Sequence, residues 1–328
     1  MTERQNEQQK EQQSDLQAAI ARIGKTLSGV VVGQEPLVQE LLVALLAGGH
    51  VILEGVPGTG KTLLVRALSR LIQADFGRIQ LTPDILPSDI SGTNVFDLTN
   101  RTFTLKKGPV FTQVLLADEI NRTPPKTQSA LLEAMEEQQV TLDGTSHPLP
   151  DLFWVVATQN PLEFEGTYPL PEAQLDRFLF KLVVGYPAAA AEKQMLLNAQ
   201  AGFEAKRLDV GQLKPVVSAQ HILAARQAVK AISVQESILD YLLALAHRTR
   251  QHGDLELGTS PRATVQWLAA SKAHAWLHGQ EFVTPDHVKA VAMPLLRHRL
   301  MLGAEAQLDG LTCDRIITGV LDSVAVPR

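Results

Sequence analysis

A glycine-rich string constrains the fold of this chain more than any other feature. Residues 55–62 read Gly-Val-Pro-Gly-Thr-Gly-Lys-Thr, which matches the pattern G-x-x-x-x-G-K-[ST]. The apolar residues 51–53 before it predict a buried strand, and the spacing over residues 61–72 predicts a helix. Glycines between a strand and a helix let backbone N–H groups converge on phosphate oxygens at the positive end of the helix dipole. The string therefore predicts a phosphate-binding loop in an α/β domain.

Two side chains of this loop have distinct expected roles. Lys61 is expected to reach the β and γ phosphates of ATP, and Thr62 to offer its hydroxyl to Mg²⁺. A glycine-rich turn can match the pattern by accident, but the strand–loop–helix context disfavours that reading. The residues expected to contact the nucleotide here are Gly55, Val56, Pro57, Gly58, Thr59, Gly60, Lys61, Thr62 and Leu63.

Two adjacent carboxylates end a second apolar run. Residues 114–117 predict a strand, and Asp118 and Glu119 follow it directly. If this strand runs beside the strand of the phosphate loop, both carboxylates reach the nucleotide edge of the sheet. Asp118 is then expected to hold Mg²⁺, and Glu119 to polarise the water that attacks the γ-phosphate. The alternative is an acidic turn exposed to solvent, and the presence of the phosphate loop strongly disfavours it.

Three more residues are candidates for contacts at the γ-phosphate. Asn160 follows a third predicted strand at 153–157, although an Asn before Pro is also a common turn residue. Arg177 lies in Leu-Asp-Arg-Phe and Arg262 in Ser-Pro-Arg. Most surface arginines simply pair with a carboxylate in solvent. A guanidinium at the γ-phosphate accelerates phosphoryl transfer by roughly 10³–10⁵-fold, and the motif-like settings favour that role here.

The order of predicted elements divides the chain. Strand and helix signals alternate as far as Tyr186-Pro187, which predicts a parallel sheet covered by helices on both faces. Beyond that point the sequence indicates helices only, including one over residues 285–299. We therefore expect a polar disordered tail at 1–14, an α/β nucleotide-binding domain at 15–186 and an all-helical domain at 187–328.

Composition excludes several classes of protein. The single cysteine, Cys313, rules out an internal disulfide and a cysteine zinc cluster. The longest apolar stretch, at 41–53, is too short to cross a bilayer, and the polar N-terminus does not resemble a secretory signal. The net charge of −5 provides no general field for nucleic acid. We expect a cytoplasmic protein with no membrane insertion, and the charge disfavours a nucleic-acid partner.

At this point the motifs resemble those of a known family. The chain resembles the MoxR family of AAA+ ATPases from about residue 23 to about residue 299. Its string at 118–136 is particularly specific, because it extends well beyond what metal and water chemistry requires. The strings that carry the resemblance are GVPGTGKT, ADEINRTPPKTQ, ATQNP, LPEAQLDRF and SPRA.

The resemblance implies a P-loop AAA+ core followed by an all-helical lid, working as a hexameric ring. It implies that Asn160 is sensor 1, that Arg177 is the arginine finger on a neighbour's nucleotide, and that Arg262 is sensor 2, in cis or in trans. Lys61 and Thr62 would belong to Walker A, and Asp118 and Glu119 to Walker B. The residues placed near the adenine by the resemblance are Val32, Gly33 and Gln34.

Two β-hairpins are expected as insertions. The resemblance implies one at 92–108, inside the helix that follows the second strand. Asp143-Gly144 predicts the turn of another at 139–149, since Asp-Gly is a strong hairpin signal. In the first hairpin, Phe103 and Leu105 alternate with polar residues. That alternation fits either an ordinary half-buried strand or a surface that contacts client proteins.

Three functions remain open from the sequence. The resemblance implies ATP-driven, chaperone-like remodelling or activation of partner proteins, with an adaptor that carries a von Willebrand factor A domain. The alternative is a nucleic-acid motor, because relatives with the same inserted hairpin include helicases. A non-enzymatic nucleotide-dependent scaffold is disfavoured by Lys61, Asp118 and Glu119. We expect no separate substrate domain, so the hairpins or an adaptor would supply specificity.

Overall fold

A computed structural model describes residues 2–161, 166–201 and 213–327, with side chains described from Gln13 onward. The longer helices are α1 (Thr2–Val30), α2 (Glu35–Ala47), α3 (Lys61–Leu71), α5 (Pro125–Glu137), α7 (Ala189–Gln200), α8 (Ala219–Lys230), α9 (Glu236–Arg250), α10 (Pro261–Leu277) and α14 (Cys313–Ser323). The shorter helices are α4 (Pro87–Ser91), α6 (Glu172–Leu175), α11 (Pro285–Ala290), α12 (Ala292–Leu296) and α13 (Ala304–Leu308).

The strands form one main sheet and three small ribbons. The main sheet has five parallel strands in the order β2-β5-β8-β1-β9. Its members are β1 (Val51–Gly55), β2 (Phe76–Gln80), β5 (Val114–Asp118), β8 (Trp154–Gln159) and β9 (Phe180–Val184). The ribbons pair β3 (Gly92–Asp97) with β4 (Thr102–Lys107), β6 (Gln139–Leu142) with β7 (Thr145–Pro148), and β10 (Leu255–Leu257) with β11 (Met301–Leu302).

Both faces of the main sheet are buried. Along β5, Val114 and Leu116 join a core that also contains the apolar faces of α1, α2 and α3. Leu115 and Ala117 point to the other face, where they pack with residues of α5. Parallel strands buried on both faces need continuous apolar sequences, which is what residues 114–117 provide. The prediction of a parallel sheet flanked by helices, with two inserted hairpins, is confirmed.

The helical part of the chain shares the larger core with the N-terminal helices. Buried residues of α8, α9 and α10 belong to the same cluster as those of α1 and α2. The change from the strands of the main sheet to the helical part of the chain falls in the link between β9 and α7. We propose that the domain boundary lies at Tyr186-Pro187 within that link, with the N-terminal helices packed against both parts.

Three details differ from the expectations. Residues 2–14, expected to be a disordered tail, lie in α1, since Gln, Glu, Lys and Arg are good helix formers and the helix is anchored by Ile20 and Ile23. The part expected to be all-helical contains the antiparallel ribbon β10–β11. The helix expected over residues 285–299 is interrupted between α11 and α12, because the ring of Pro294 clashes with the helical position of the Ala290 carbonyl.

His50 is buried beneath the sheet, just before β1, with only 7% of its surface exposed. Val155 donates its N–H to Nδ1 at 3.0 Å, so Nε2 carries the proton and donates to the Met135 carbonyl at 3.2 Å. Burial lowers the pKa of His50 to about 4, although the Met135 hydrogen bond acts in the opposite direction. The folded protein therefore keeps this imidazole neutral.

We predict that His50 contributes to acid destabilisation. Its folded-state pKa of about 4 is below the ordinary value of 6.5, so the unfolded chain binds the proton first as the pH falls. The free energy of unfolding should therefore decrease as the pH falls through this window. Thermal unfolding at several pH values should show a shallower decrease for His50→Gln than for the parent. Equal slopes for the two proteins would contradict the prediction.

Candidate active site

The phosphate loop connects β1 to α3 in a tight turn. Gly58 and Gly60 both have φ of +83°, a left-handed conformation that glycine adopts without steric cost. Gly55 ends β1 where a Cβ would lie 2.4 Å from the carbonyl oxygen of Val184 on β9. The glycines thus allow both the turn and the close approach of the neighbouring strand. The loop delivers the chain to the N-terminus of α3, where anions bind favourably.

Lys61, the first residue of α3, folds back over the loop. Its Nζ donates to the carbonyl oxygens of Gly55 at 2.6 Å and Val56 at 2.8 Å. Partial burial lowers the pKa of Lys61, and the nearby carboxylates of Asp118 and Glu119 act in the opposite direction. A partly desolvated ammonium therefore lies over the loop and close to two carboxylates. A polyphosphate bound by the loop would need a cation at this position.

Asp118 is held at the carboxyl end of β5 and is only 6% exposed. Thr158 donates its hydroxyl to Oδ1 at 3.1 Å, and Arg78 donates Nε to Oδ2 at 2.7 Å. The Arg78 side chain is half exposed, so this ion pair is open to solvent on one side. The carboxylate therefore has a defined orientation that depends on residues from β2 and β8.

Glu119 adopts a left-handed conformation with φ of 59°, which is uncommon for a residue with a side chain. Its N–H donates to the Thr158 hydroxyl at 2.9 Å. Oε2 of its carboxylate accepts from Gln80 at 2.7 Å and from Arg122 at 3.0 Å. The backbone turn separates the two adjacent carboxylates, so Asp118 and Glu119 present their oxygens to different surroundings.

A cavity of about 480 Å³ opens between the phosphate loop and the ends of β5 and β8. Asn160, which is 7% exposed, contributes to its wall. The predicted residues that line this cavity are Gly55, Pro57, Gly58, Thr59, Gly60, Lys61, Thr62, Leu63, Asp118, Glu119 and Asn160. The structure therefore brings together residues from three separate motifs at one edge of the sheet.

The strand order at this edge differs from the direct neighbourhood that the sequence analysis considered. The strand that carries Asp118 does not lie beside β1, because β8 pairs with both and separates them. Parallel pairing still places all three carboxyl ends at the same edge. The intervening strand explains how Thr158 reaches Asp118 and how Asn160 lies between the carboxylates and the loop.

Sequence reasoning missed several residues of the cavity. Arg78 and Gln80 occupy alternate positions on β2, so both can reach the polar edge, and this alternation was the signal available in the sequence. Arg66 follows Thr62 by one helical turn on α3. The lining residues that were not predicted are Arg66, Arg78, Gln80, Thr158 and Gln159.

The cavity walls suit a magnesium–nucleotide complex. The basic residues Lys61, Arg66 and Arg78 line it, together with Thr62 and Asp118. Within the described residues, no group of three or more His, Cys, Asp or Glu side chains is placed to hold a metal ion. The hydroxyl of Thr62 and the carboxylate of Asp118 fit Mg²⁺, which commonly binds through one or two protein oxygens and completes its shell with phosphate oxygens and water.

The segment at 31–34 lies next to the phosphate loop but outside the cavity lining. A Cβ on Gly60 would lie 3.8 Å from Val31, and one on Gly33 would lie 2.5 Å from the Cβ of Ala191. Gln34 donates its side-chain amide to the Gly185 carbonyl at 3.1 Å. Val32, Gly33 and Gln34 are therefore positioned between the loop and the start of α7.

Arg177 and Arg262 also lie outside the cavity lining. Both contact the same carboxylate, Glu136 of α5. Arg177 Nε lies 3.1 Å from Oε2, and Arg262 Nη1 lies 3.0 Å from Oε1. The structure therefore brings the two arginines together with each other rather than with the phosphate loop of their own chain.

The fold and the cavity define a P-loop nucleotide-binding protein, and comparison with known proteins narrows the class. Residues 50–180 match the model of the ATPase family associated with various cellular activities, and residues 243–320 match the AAA lid domain. The crystal structure of a protein from Cytophaga hutchinsonii, described as a putative ATPase, is 37% identical to this chain and superposes on it with a TM-score of 0.90, and the match covers 99% of both chains.

Curated relatives specify the family. The Bacillus subtilis protein YeaC is 44% identical over 96% of this chain and 97% of its own. Chaperone MoxR1 of Mycobacterium tuberculosis is 41% identical over 91% of this chain and 80% of its own. MoxR of Paracoccus denitrificans is 32% identical over 88% of this chain and 90% of its own. The chain belongs to the MoxR family of AAA+ ATPases, as the motifs predicted. Within the described part of the chain, no helix combines the length and apolarity needed to cross a bilayer.

Proposed function

We propose that this protein hydrolyses ATP with Mg²⁺ in a ring whose neighbouring subunits share each active site, and that hydrolysis drives remodelling of partner proteins. The observation that carries the catalytic part is the single cavity lined by Lys61, Asp118, Glu119 and Asn160. These residues come from three motifs far apart in the chain. Their convergence beside a phosphate-binding loop supports hydrolysis rather than nucleotide binding alone.

Each residue has a role that follows from its position. When ATP binds, the ammonium of Lys61 leaves the carbonyl oxygens of the loop and donates to oxygens of the β and γ phosphates. Carbonyl and phosphate oxygens both accept its hydrogen bonds. Thr62 and Asp118 would hold Mg²⁺, which when bound would neutralise charge on the phosphates. Arg78 moves from Asp118 toward solvent, which its exposure allows. Val32, Gly33 and Gln34 contact the adenine side of the nucleotide.

Glu119 and Asn160 act on the attacking water. Glu119 accepts its proton as the bond to phosphorus forms, after its carboxylate has left Gln80 or Arg122. Asn160 bridges this water and the γ-phosphate through its amide. Both residues line the cavity, and they follow the neighbouring strands β5 and β8. This arrangement supports in-line attack without a covalent intermediate.

Arg177 and Arg262 are proposed to act in trans. Neither lines the cavity of its own chain, and both are partly exposed around Glu136. In a ring, the face that carries them would meet the phosphate cavity of the next subunit. The sequence did not decide whether Arg262 acts in cis or in trans. Because Arg262 pairs with the same carboxylate as Arg177, we infer that both arginines act on the nucleotide of the same neighbouring subunit.

The role in remodelling rests on an exposed apolar surface and on family. The hairpin β3–β4 carries Phe96 and Phe103 with ring centroids 5.1 Å apart, and they are 46% and 71% exposed. Leu98 at its turn is 84% exposed. A relative named a chaperone, MoxR1, supports a client protein as the occupant of such a surface. We propose an adaptor with a von Willebrand factor A domain and a cytoplasmic setting, where ATP is supplied.

We predict that Glu119→Gln binds ATP but hydrolyses it at least roughly 10²-fold more slowly, because an amide cannot accept the proton of the water. Lys61→Ala should instead fail to bind ATP, since it removes the ammonium over the loop. Nucleotide binding and phosphate release, measured in parallel, separate the two defects. A Glu119→Gln protein with parental turnover would refute this assignment.

We predict that Arg177→Ala retains ATP binding and loses roughly 10³-fold or more in turnover. Mixing it with Lys61→Ala should restore part of the activity, because some interfaces then combine an intact cavity with an intact arginine. Steady-state hydrolysis in mixed rings measures this recovery. The control mixture, Lys61→Ala with Glu119→Gln, has two cavity defects and should stay inactive. Failure of the first mixture to recover would oppose a shared site.

We predict that the β3–β4 hairpin captures partners. Rings with Glu119→Gln should retain client or adaptor proteins, and adding Phe103→Ser and Leu105→Ser should remove them while assembly and ATP binding persist. Val95 pairs with Thr104, so its side chain lies on the opposite face of the hairpin from Phe103 and Leu105. It is 45% exposed, so Val95→Ser is a matched control. Identical capture by all three rings would exclude the hairpin as the contact. Absence of von Willebrand factor A proteins from every ring would exclude the proposed adaptor.

A further inference from the structure

Glu136, near the end of α5, bridges the two arginines proposed to act in trans. One oxygen of its carboxylate is 3.1 Å from Arg177 and the other is 3.0 Å from Arg262. Arg262 is 126 residues away along the chain, so the bridge joins the lid helix α10 to the core. A single carboxylate therefore contacts two guanidinium groups that belong to different segments.

The backbone segments that carry these arginines are also connected. Ser260 caps α10 two residues before Arg262, and its hydroxyl lies 3.3 Å from Oδ2 of Asp176. Asp176 directly precedes Arg177, and its Oδ1 accepts from Arg299 at 2.6 Å. The connection through Asp176 joins the segments, and the Glu136 bridge joins the guanidinium groups. The arginine pair therefore has support at both ends of its side chains.

The bridge leaves both arginines able to bind a further anion. A guanidinium has five N–H donors, and the contacts to Glu136 use Nε of Arg177 and Nη1 of Arg262. Without the carboxylate, the two cations would repel each other and their long side chains would spread into solvent. With it, the pair keeps a fixed spacing at the surface. A triphosphate oxygen of a neighbouring subunit would then meet donors that are already oriented.

We propose that Glu136 is a positioning residue that holds Arg177 and Arg262 as a preassembled pair for the γ-phosphate bound by the neighbouring subunit. The proposal rests on the function proposed above and extends it to a residue outside the cavity. It makes the opposite prediction from an inhibitory contact, in which Glu136 would compete with the phosphate for the arginines. Removing the carboxylate lowers turnover in the first case and raises it in the second.

The test compares three variants in assembled rings. Glu136→Gln should lower kcat by roughly 10- to 100-fold, the cost of misplacing a catalytic group, while ATP affinity and thermal stability stay at parental values. Glu136→Asp keeps the charge and should retain more activity than Glu136→Gln. Glu137→Gln makes the same chemical change at the next, also exposed, position of α5 and should leave kcat unchanged.

Rings that contain two different variants show on which side of the subunit interface Glu136 acts. Glu136→Gln mixed with Lys61→Ala should regain activity, because an intact cavity then meets an intact arginine pair. Glu136→Gln mixed with Arg177→Ala should regain none, since both defects lie on the same side of the interface. A general structural defect would not produce this pattern, because it would not distinguish between the two partners.

The outcomes separate failure of this proposal from failure of the proposed function. If Arg177→Ala loses turnover but Glu136→Gln keeps the parental kcat or exceeds it, the positioning role is wrong and the shared site stands. Equal losses in Glu136→Gln and Glu137→Gln would also overturn it. If the parental ring hydrolyses no ATP, the proposed function fails, and the positioning role fails with it.

Discussion

The parallel pairing of β1 with β8 and β9 is the constraint on which the rest of the site depends. It requires glycine at position 55, because a Cβ there would lie 2.4 Å from the Val184 carbonyl oxygen. It also aligns Leu53 with Thr158, so that the phosphate loop and the polar end of β8 leave the sheet together. Every group that faces the cavity is placed relative to this edge.

From that edge, the site is organised by a small set of hydrogen bonds to backbone and side chains. Thr158 contacts both Asp118 and the N–H of Glu119, so one hydroxyl orients two adjacent carboxylates. Arg78 and Gln80 complete the contacts from β2. Lys61 donates to carbonyl oxygens of the loop, and the carboxylates of Asp118 and Glu119 accept from side chains of β2 and from Thr158 and Arg122. Binding a magnesium–nucleotide complex would exchange those internal contacts for contacts to phosphate and metal.

A buried arginine connects the lid to the segment that carries Arg177. Arg299 follows α12 and donates to the Asp176 carboxylate and to the carbonyl oxygens of Phe178 and Leu179. Burial lowers the pKa of Arg299 to about 10, while Asp176 acts in the opposite direction, so the guanidinium stays charged at neutral pH. A buried ion pair of this kind is costly to break, because separation leaves an uncompensated charge. The lid and the Arg177 segment are thus mechanically connected.

The sequence by itself determined the parts of this protein that depend on local spacing. The phosphate loop, the apolar strand before Asp118 and the Asp143-Gly144 turn are recognisable because their chemistry needs particular residues at short, regular intervals. The family followed from several such strings taken together. By contrast, the helix break before Pro294 was missed although the proline was visible, since helical periodicity continued on both sides of it.

Only the tertiary structure decided which distant residues meet. The position of β8 between β1 and β5, the contact of Arg78 with Asp118, and the bridge from Glu136 to Arg177 and Arg262 have no local signature. A surface carboxylate and two arginines are common in any sequence, and their separation along the chain carries no information about contact. Strand order and helix packing determine their distances, because these depend on how whole elements bury their apolar faces against one another.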